Sequence, residues 1–281
     1  MKVSVLIPAY NAANTLPATL QSIKSQTVPV HEVIVASDAS TDETAQIARK
    51  WGATVLELPK GNGSIARNRA ADAATGDVYF LLDADDIWHP EKVAVHLESW
   101  QQHPDASFLL DPSTRVRLDG SRRGQNGAGP DGPLTWQDMV QHRNWSSGSG
   151  LSIRKSAWQQ AGGFNEKLPG LQDVEFLIRL AHDAGPGHRI SRSLTDYYLY
   201  PGGVSKSVNW TESLLAEFAK SVPFLTKTEW AALRRTISLR NALAEPFPKS
   251  LPHFAQAGWP VADIRFWKYL LLSMRKAIVR G

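Results

Sequence analysis

The chain has 281 residues, 42% of them hydrophobic, enough to bury one substantial core or a core with an appended subdomain, which argues against a disordered polymer. It contains no cysteine, which excludes disulfides, thiolate catalysis and cysteine-based zinc or iron–sulfur sites and fits a reducing compartment; its eight histidines show no HExxH-type spacing. The net charge of +4 is unevenly placed, because residues 220–281 carry 11 basic and 3 acidic residues.

Val3–Ile7 is an apolar first strand, too short and too soon broken by Pro8 for a signal-peptide core or a membrane span. Thr15–Ser25 places Leu16, Leu20 and Ile23 at helical spacing, and His31–Ala36 is a second strand. Ser40 and Glu43 stand at capping-box spacing for a helix through Lys50, followed by a third strand over Ala53–Leu58. After a loop rich in Gly and Pro, Ser64 is expected to cap a helix to Ala74, and Val78–Leu82 then reads as a buried parallel strand. Strict alternation of strand and helix predicts a parallel, helix-covered sheet.

Asp83-Ala84-Asp85-Asp86 follows that strand directly, so its carboxylates emerge at the strand's C-terminal end, where open α/β sheets bind ligands. Alternate residues of an extended chain point the same way, which lets Asp83 and Asp85 offer two oxygens to one divalent cation. A small cation held this way fills its other positions with water and substrate phosphate, so a metal-bridged diphosphate is one reading. An Asp-rich turn capping the helix that starts near Pro90 is the other.

Residues 119–133 form a Gly-rich loop that either closes over substrate or is disordered. Asp173 opens a helix through Ala181 and is either its cap or a carboxylate base. Beyond residue 206 the pattern is helical, with segments near Thr211–Phe224, Thr228–Leu243 and Val261–Val279. The last carries an apolar stripe of Trp267, Leu270, Leu271, Met274 and Ile278 with Arg265, Lys268 and Arg275 on another side. Such a helix packs on the catalytic domain or lies in an anionic membrane interface.

The segments Val5–Asn11, Ser37–Thr44, Ala66-Arg67-Asn68 and Leu82–Asp86, with Gly162–Glu166 and Gln172-Asp173, resemble in order and spacing the signatures of family 2 glycosyltransferases. The resemblance covers roughly residues 1–205 and implies a GT-A fold, an α/β nucleotide-sugar-binding part of about 1–110 merged with an acceptor part of about 111–205, before a helical extension over 206–281. It implies an inverting transfer of sugar from a nucleotide-diphosphate donor, a UDP-sugar favoured, to a hydroxyl of a glycan or lipid-linked cell-envelope acceptor. Pro8, Ala9 and Tyr10 would line the base pocket and Asp38 would bond the nucleobase. Arg67 would reach the diphosphate or base, and Asp83 and Ala84 the donor. Asp85, with Asp83, would hold Mn²⁺ or Mg²⁺, and Asp173 would be the general base. Trp145, beside Asn144, is nominated for the acceptor.

Three positions depart from the family pattern: Ser37 where a second Asp is usual, Gln172 in place of Glu, and Tyr200 near the usual place of a His. The Gln-x-x-Arg-Trp signature of processive synthases is absent, which favours transfer of one sugar at a time. A cytoplasmic setting is expected, peripheral at the inner membrane face if the basic tail engages anionic lipid, and no nucleic-acid partner. The alternatives are a catalytically silent nucleotide-sugar-binding protein, which would explain Ser37 and Tyr200 as tolerated losses, and a sugar-phosphate nucleotidyltransferase, for which Pro8–Asn11 lacks the Gly-rich basic loop.

Overall fold

The computed structural model describes residues 1–141, 147–200 and 211–244, together with residues 250, 252, 255, 267, 270 and 271. The first half alternates as expected: β1 (Val3–Ala9), α1 (Leu16–Lys24), β2 (Glu32–Asp38), α2 (Thr44–Lys50), β3 (Thr54–Leu58), α3 (Gly63–Ala73) and β4 (Val78–Leu81). The short β5 (Ile87–Trp88), α4 (Lys92–Gln102), β6 (Phe108–Leu110), β7 (Ser113–Val116), β8 (Arg122–Asn126), β9 (Gly132–Leu134) and α5 (Trp136–Val140) follow. Next come β10 (Leu151–Arg154), α6 (Lys155–Ala161), α7 (Gln172–Asp183), β11 (Gly187–Arg189), β12 (Thr195–Tyr198), α8 (Glu212–Ser221) and α9 (Lys227–Ala244).

Eight strands form one sheet in the order β3-β2-β1-β4-β10-β6-β11-β9. The pairs β2–β3, β1–β2, β1–β4 and β6–β11 are parallel, so these strands end at one common edge. The sheet is mostly parallel, as expected; the exceptions are β10, antiparallel to both β4 and β6, and β9, antiparallel to β11. An antiparallel strand starts where its neighbour finishes, so the residues before β10 are delivered to the end of β4. A second sheet, β5-β12-β7-β8, contains part of the Gly-rich segment expected as a loop. There β8 pairs with β7, and β9 joins the large sheet.

The core on one face of the large sheet joins Val5, Ile7, Phe80 and Leu109 to Leu16 and Leu20 of α1 and Val93 and Trp100 of α4. Three buried polar groups beside this core pair with one another. Lys92, His96 and Asp111 are all fully buried; Lys92 Nζ donates to Asp111, and His96 bonds Asp111 Oδ1 at 3.0 Å and Ser152 Oγ at 2.8 Å. Burial lowers the His96 pKa to about 4, helped by the Lys92 charge. Burial works to raise Asp111, but Lys92 and His96 hold its carboxyl below the usual value.

Two helix starts differ from expectation. Ser64 is not the cap of α3. Asn62 is extended at φ −155° and its side-chain oxygen accepts from the Ser64 and Ile65 amides, because Asn serves that position as well as Ser and stands where the chain turns. The Ser40–Glu43 box does not form either. Asp42 Oδ1 takes the Thr44 amide at 3.0 Å, Asp42 Oδ2 takes the Ala13 amide, and Ser40 Oγ takes that of Asn11.

By compactness the chain divides into one unit of Met1–Met139, Arg143–Glu166 and Gln172–Tyr200, and a second of Val140–His142, Lys167–Leu171 and Pro201–Gly281. In the second unit Thr211 caps α8, Phe218 of α8 meets the Trp230 ring of α9 at 6.0 Å, and Leu215, Leu233 and Ile237 are buried. Among the described residues no helix is long and apolar enough to cross a membrane. The expected helix over Val261–Val279 lies almost wholly outside them.

Candidate active site

The acid cluster stands where β4 leaves the sheet, at the common edge of the parallel strands. Continuing the β4–β10 register places Ser149 opposite Asp83, and the Asp83 amide donates to Ser149 Oγ at 3.0 Å. Asp86 is fully buried and accepts from Ser149 Oγ at 2.5 Å and from the Tyr198 amide at 3.2 Å. It braces the turn and leaves Asp83 and Asp85, both half-buried, toward the edge.

Arg67 rises from α3 into the cluster. Its side chain is 8% exposed and its Nη2 lies 2.5 Å from Asp83 Oδ1, so the guanidinium reaches a carboxylate of this chain. Asp83, Asp173 and Asp86 together raise its pKa against the opposing effect of burial. Asp173 lies in the first turn of α7; its Oδ1 is shut off from solvent without a hydrogen-bond partner. Burial raises its pKa; the Arg67 charge opposes the rise and Asp83 adds to it. The Asp85 carboxyl is pushed up to about 6 by burial first and by Asp83 next. Burial, Asp83 and Asp85 raise Asp86 well above the usual carboxylate range. Among the described residues one guanidinium therefore faces Asp83, Asp85, Asp86 and Asp173, an excess of negative charge.

The Gly162-Gly163-Phe164 motif secures Arg67 and Asp173 relative to one another. Asn68, next to Arg67, bonds both the amide and the carbonyl of Phe164 at 2.9 Å. Gly163 has φ +72° and a Cβ there would stand 2.7 Å from Asn68 Oδ1, so only glycine fits. Arg179 of α7 donates to the carbonyls of Ala161 and Gly163 and pairs with Glu175, tying α7 to the same turn. The Arg67 guanidinium lies 5.4 Å from the Phe164 ring centroid.

Pro8, Ala9 and Tyr10 end β1 beside Asp38 at the end of β2. Tyr10 is 53% exposed, and its ring face carries the Lys60 ammonium 3.2 Å from the centroid. Lys60 also pairs with Asp38 Oδ2 at 3.1 Å, and the Gly61 amide donates to Asp38 Oδ1 at 2.5 Å. Asp38 thus anchors the 60–61 loop as well as flanking Tyr10. Ala84 buries its methyl in the core, so a donor can meet only its backbone. Burial first and Asp85 next raise the Tyr200 phenol, which keeps it a neutral donor near the cluster. Trp145 lies outside the described residues.

Sequence reasoning missed Ser149, the Tyr198 amide and Lys60. Ser147-Gly148-Ser149-Gly150 carries the composition of a linker, yet Gly148–Gly150 is a buried 3-10 turn. It also missed His103, Asp131 and His188, which bring ligand atoms within 4.8 Å of one another. The two imidazoles are stacked with centroids 3.5 Å apart and planes 16° from parallel, so their in-plane lone pairs run side by side instead of converging on one ion. His188 Nε2 is hydrogen-bonded to Asp131 at 2.6 Å.

Residues 4–143 match the family model described as glycosyl transferase family 2. The amylovoran biosynthesis glycosyltransferase AmsB of Erwinia amylovora is 37% identical over 129 residues, 42% of this chain and 43% of its own. The uncharacterized glycosyltransferase YibD of Escherichia coli is 35% identical over 223 residues, 73% of this chain and 63% of its own. The chain thus spans less than two thirds of the length of these relatives. The crystal structure of residues 1–349 of S. aureus TarS with UDP-GlcNAc superposes with a TM-score of 0.66 at 18% identity, over 97% of this chain and 90% of that one. That likeness establishes a GT-A-like fold.

Proposed function

The chain belongs to glycosyl transferase family 2, and from that premise we propose that it transfers a sugar, with inversion, from a UDP-sugar to a hydroxyl of a glycan or lipid-linked cell-envelope acceptor. The observation that carries this reading is the carboxylate cluster at the end of β4, with Arg67 between it and Asp173. UDP is preferred as the leaving group because the structurally similar TarS was crystallised with UDP-GlcNAc and with UDP. The polysaccharide setting follows the name of the amylovoran relative.

Residue roles follow from chemistry. Tyr10 offers an aromatic face to the nucleobase beside Pro8 and Ala9, and Asp38 accepts from a base N–H. Asp83 and Asp85 form a hard-oxygen set whose excess negative charge suits a divalent cation, Mn²⁺ or Mg²⁺. When bound, that ion would neutralise charge on the departing diphosphate. Arg67 keeps one Asp83 oxygen in place and adds positive charge beside the phosphates. Asp173 takes the proton from the acceptor hydroxyl. Burial raises the Asp173 pKa toward the strength a general base needs, while the Arg67 charge favours the ionised form. Membrane contact through the basic C-terminal residues and a cytoplasmic location belong to the same proposal.

A thermal-shift series with UDP and GDP, each with and without Mn²⁺, tests the reading when followed by release of UDP from a panel of UDP-sugars. We expect metal-dependent stabilisation by UDP that Asp85→Ala abolishes. UDP binding without turnover on any donor would support a silent binding protein instead, and no metal-dependent binding of either nucleotide would end the proposal.

A further inference from the structure

We propose that the Gly148–Gly150 turn is a two-sided positioning clamp, with Ser149 holding the acid cluster and Gly148 packed against the Asp173 carboxylate, so that one short turn sets the spacing between donor and acceptor chemistry. This rests on the function proposed above and names the residues that assemble its two halves.

The donor side hangs on one hydroxyl. Ser149 is fully buried, and its Oγ spends its single proton on Asp86 at 2.5 Å while accepting the Asp83 amide at 3.0 Å. Both ends of the Asp83–Asp86 turn are therefore fastened to the same atom. Without it, the Asp83 amide loses its partner and Asp86 keeps only the Tyr198 amide.

The acceptor side hangs on the absence of a side chain. Gly148 lies directly against the Asp173 carboxylate. A Cβ at position 148 would stand 3.3 Å from Asp173 Oδ1, a separation at which the carboxylate must shift by a few tenths of an ångström. A methyl there therefore displaces the carboxylate assigned to the acceptor proton.

The turn itself is held from outside both halves. Trp88 Nε1 donates to the Ser149 carbonyl at 3.0 Å, the Asp111 amide donates to the Gly150 carbonyl at 3.0 Å, and the Ser113 and Ser147 hydroxyls meet at 2.6 Å. Asp111 is in turn fixed by Lys92 and His96. A clamp anchored in the core cannot follow a displaced carboxylate, which is why adjacent residues should give separable effects.

The experiment compares Ser149→Ala, Ser149→Thr and Gly148→Ala with the parent protein. It measures affinity for Mn²⁺–UDP by calorimetry, UDP release from a UDP-sugar with water as acceptor, and melting temperature in chelator. Ser149→Ala should weaken Mn²⁺–UDP binding about tenfold or more, as loss of a hydrogen bond to a charged group does, while Ser149→Thr stays within about threefold of the parent. Gly148→Ala should leave that affinity within about twofold and slow UDP release about a hundredfold, the cost of a small misplacement at a reacting group. Unchanged affinity in Ser149→Ala, or a parallel fall of affinity and turnover in Gly148→Ala, overturns the clamp. Melting temperature in chelator separates misfolding from positioning, and should Ser149→Ala fail to fold, the Ser149→Thr and Gly148→Ala results decide. Failure of the parent protein to bind Mn²⁺–UDP would instead sink the function on which the clamp rests.

Discussion

Two buried polar regions of the first unit differ in how completely they are paired. Around Asp111, Lys92 and His96 supply a cation and a ring nitrogen, the Leu194 amide donates at 3.1 Å, and the Thr195 hydroxyl fills the remaining place. At the end of β4, among the described residues, Arg67 alone faces several carboxylates, and Asp173 Oδ1 has no partner. A low-dielectric interior makes full pairing the stable state, so a deficit at the edge marks a place where something external completes the set.

If the deficit at the edge serves catalysis, the largest effect comes from Asp173→Asn. It should lower transfer by about 10²–10⁴-fold, the typical contribution of a general base, and leave UDP affinity within experimental error. Steady-state kinetics beside nucleotide calorimetry would expose a merely structural Asp173 as a fall in both.

If the paired region is architectural, Lys92→Met should destabilise the fold by about 3–5 kcal/mol in urea titration, since it leaves Asp111 charged and buried. A loss below about 1 kcal/mol would mean that water replaces the ammonium and the contrast between the regions is not real.

Acidification separates them by sign. Asp85 has a folded pKa of about 6, above that of an unfolded aspartate, so the metal-free protein gains stability from this group as pH falls toward 4. His96 has a folded pKa of about 4, below that of an unfolded histidine, so the protein loses stability from it as pH falls below about 6.5. These opposing contributions partly cancel between pH 7 and 5. Asp85→Asn removes the gain, so the variant should lose about 1–2 kcal/mol more than the parent on that change. Equal losses by chemical denaturation at the two pH values would refute the Asp85 assignment. The smallest effect is Tyr10→Ala, which should weaken UDP about tenfold through lost stacking, and no change would remove Tyr10 from the base pocket.

What was legible in the sequence follows the same division. The strands through β4 and the acid cluster could be read because a buried parallel strand is a continuous apolar run and its end is a fixed place in an α/β sheet. The placement of Asp173 near Arg67 was legible through Gly162-Gly163-Phe164, in which Gly163 lies against Asn68 and Phe164 bonds it. Ser149 was not, because its importance depends on β10 being antiparallel to β4, a pairing between residues far apart in the chain. The Asn62 cap and the Asp42–Thr44 turn bond were missed because neighbouring Ser, Asp and Asn compete for the same amides and only the path of the turn selects among them. The strands β8 and β9 were hidden in a glycine-rich composition because their pairing partners, β7 and β11, lie outside that segment.

The ammonium resting on Tyr10 carries a kinetic consequence. A ring that stacks on that face must first evict Lys60, whose other tether is the Asp38 carboxylate. Capture of a nucleotide would then proceed in two stages, eviction followed by insertion, and the apparent association rate would level off as ligand concentration rises. Stopped-flow traces in rising salt would reveal it, because screening loosens an exposed lysine before it weakens an aromatic stack; a strictly linear, salt-independent rate would show that Lys60 yields without delay.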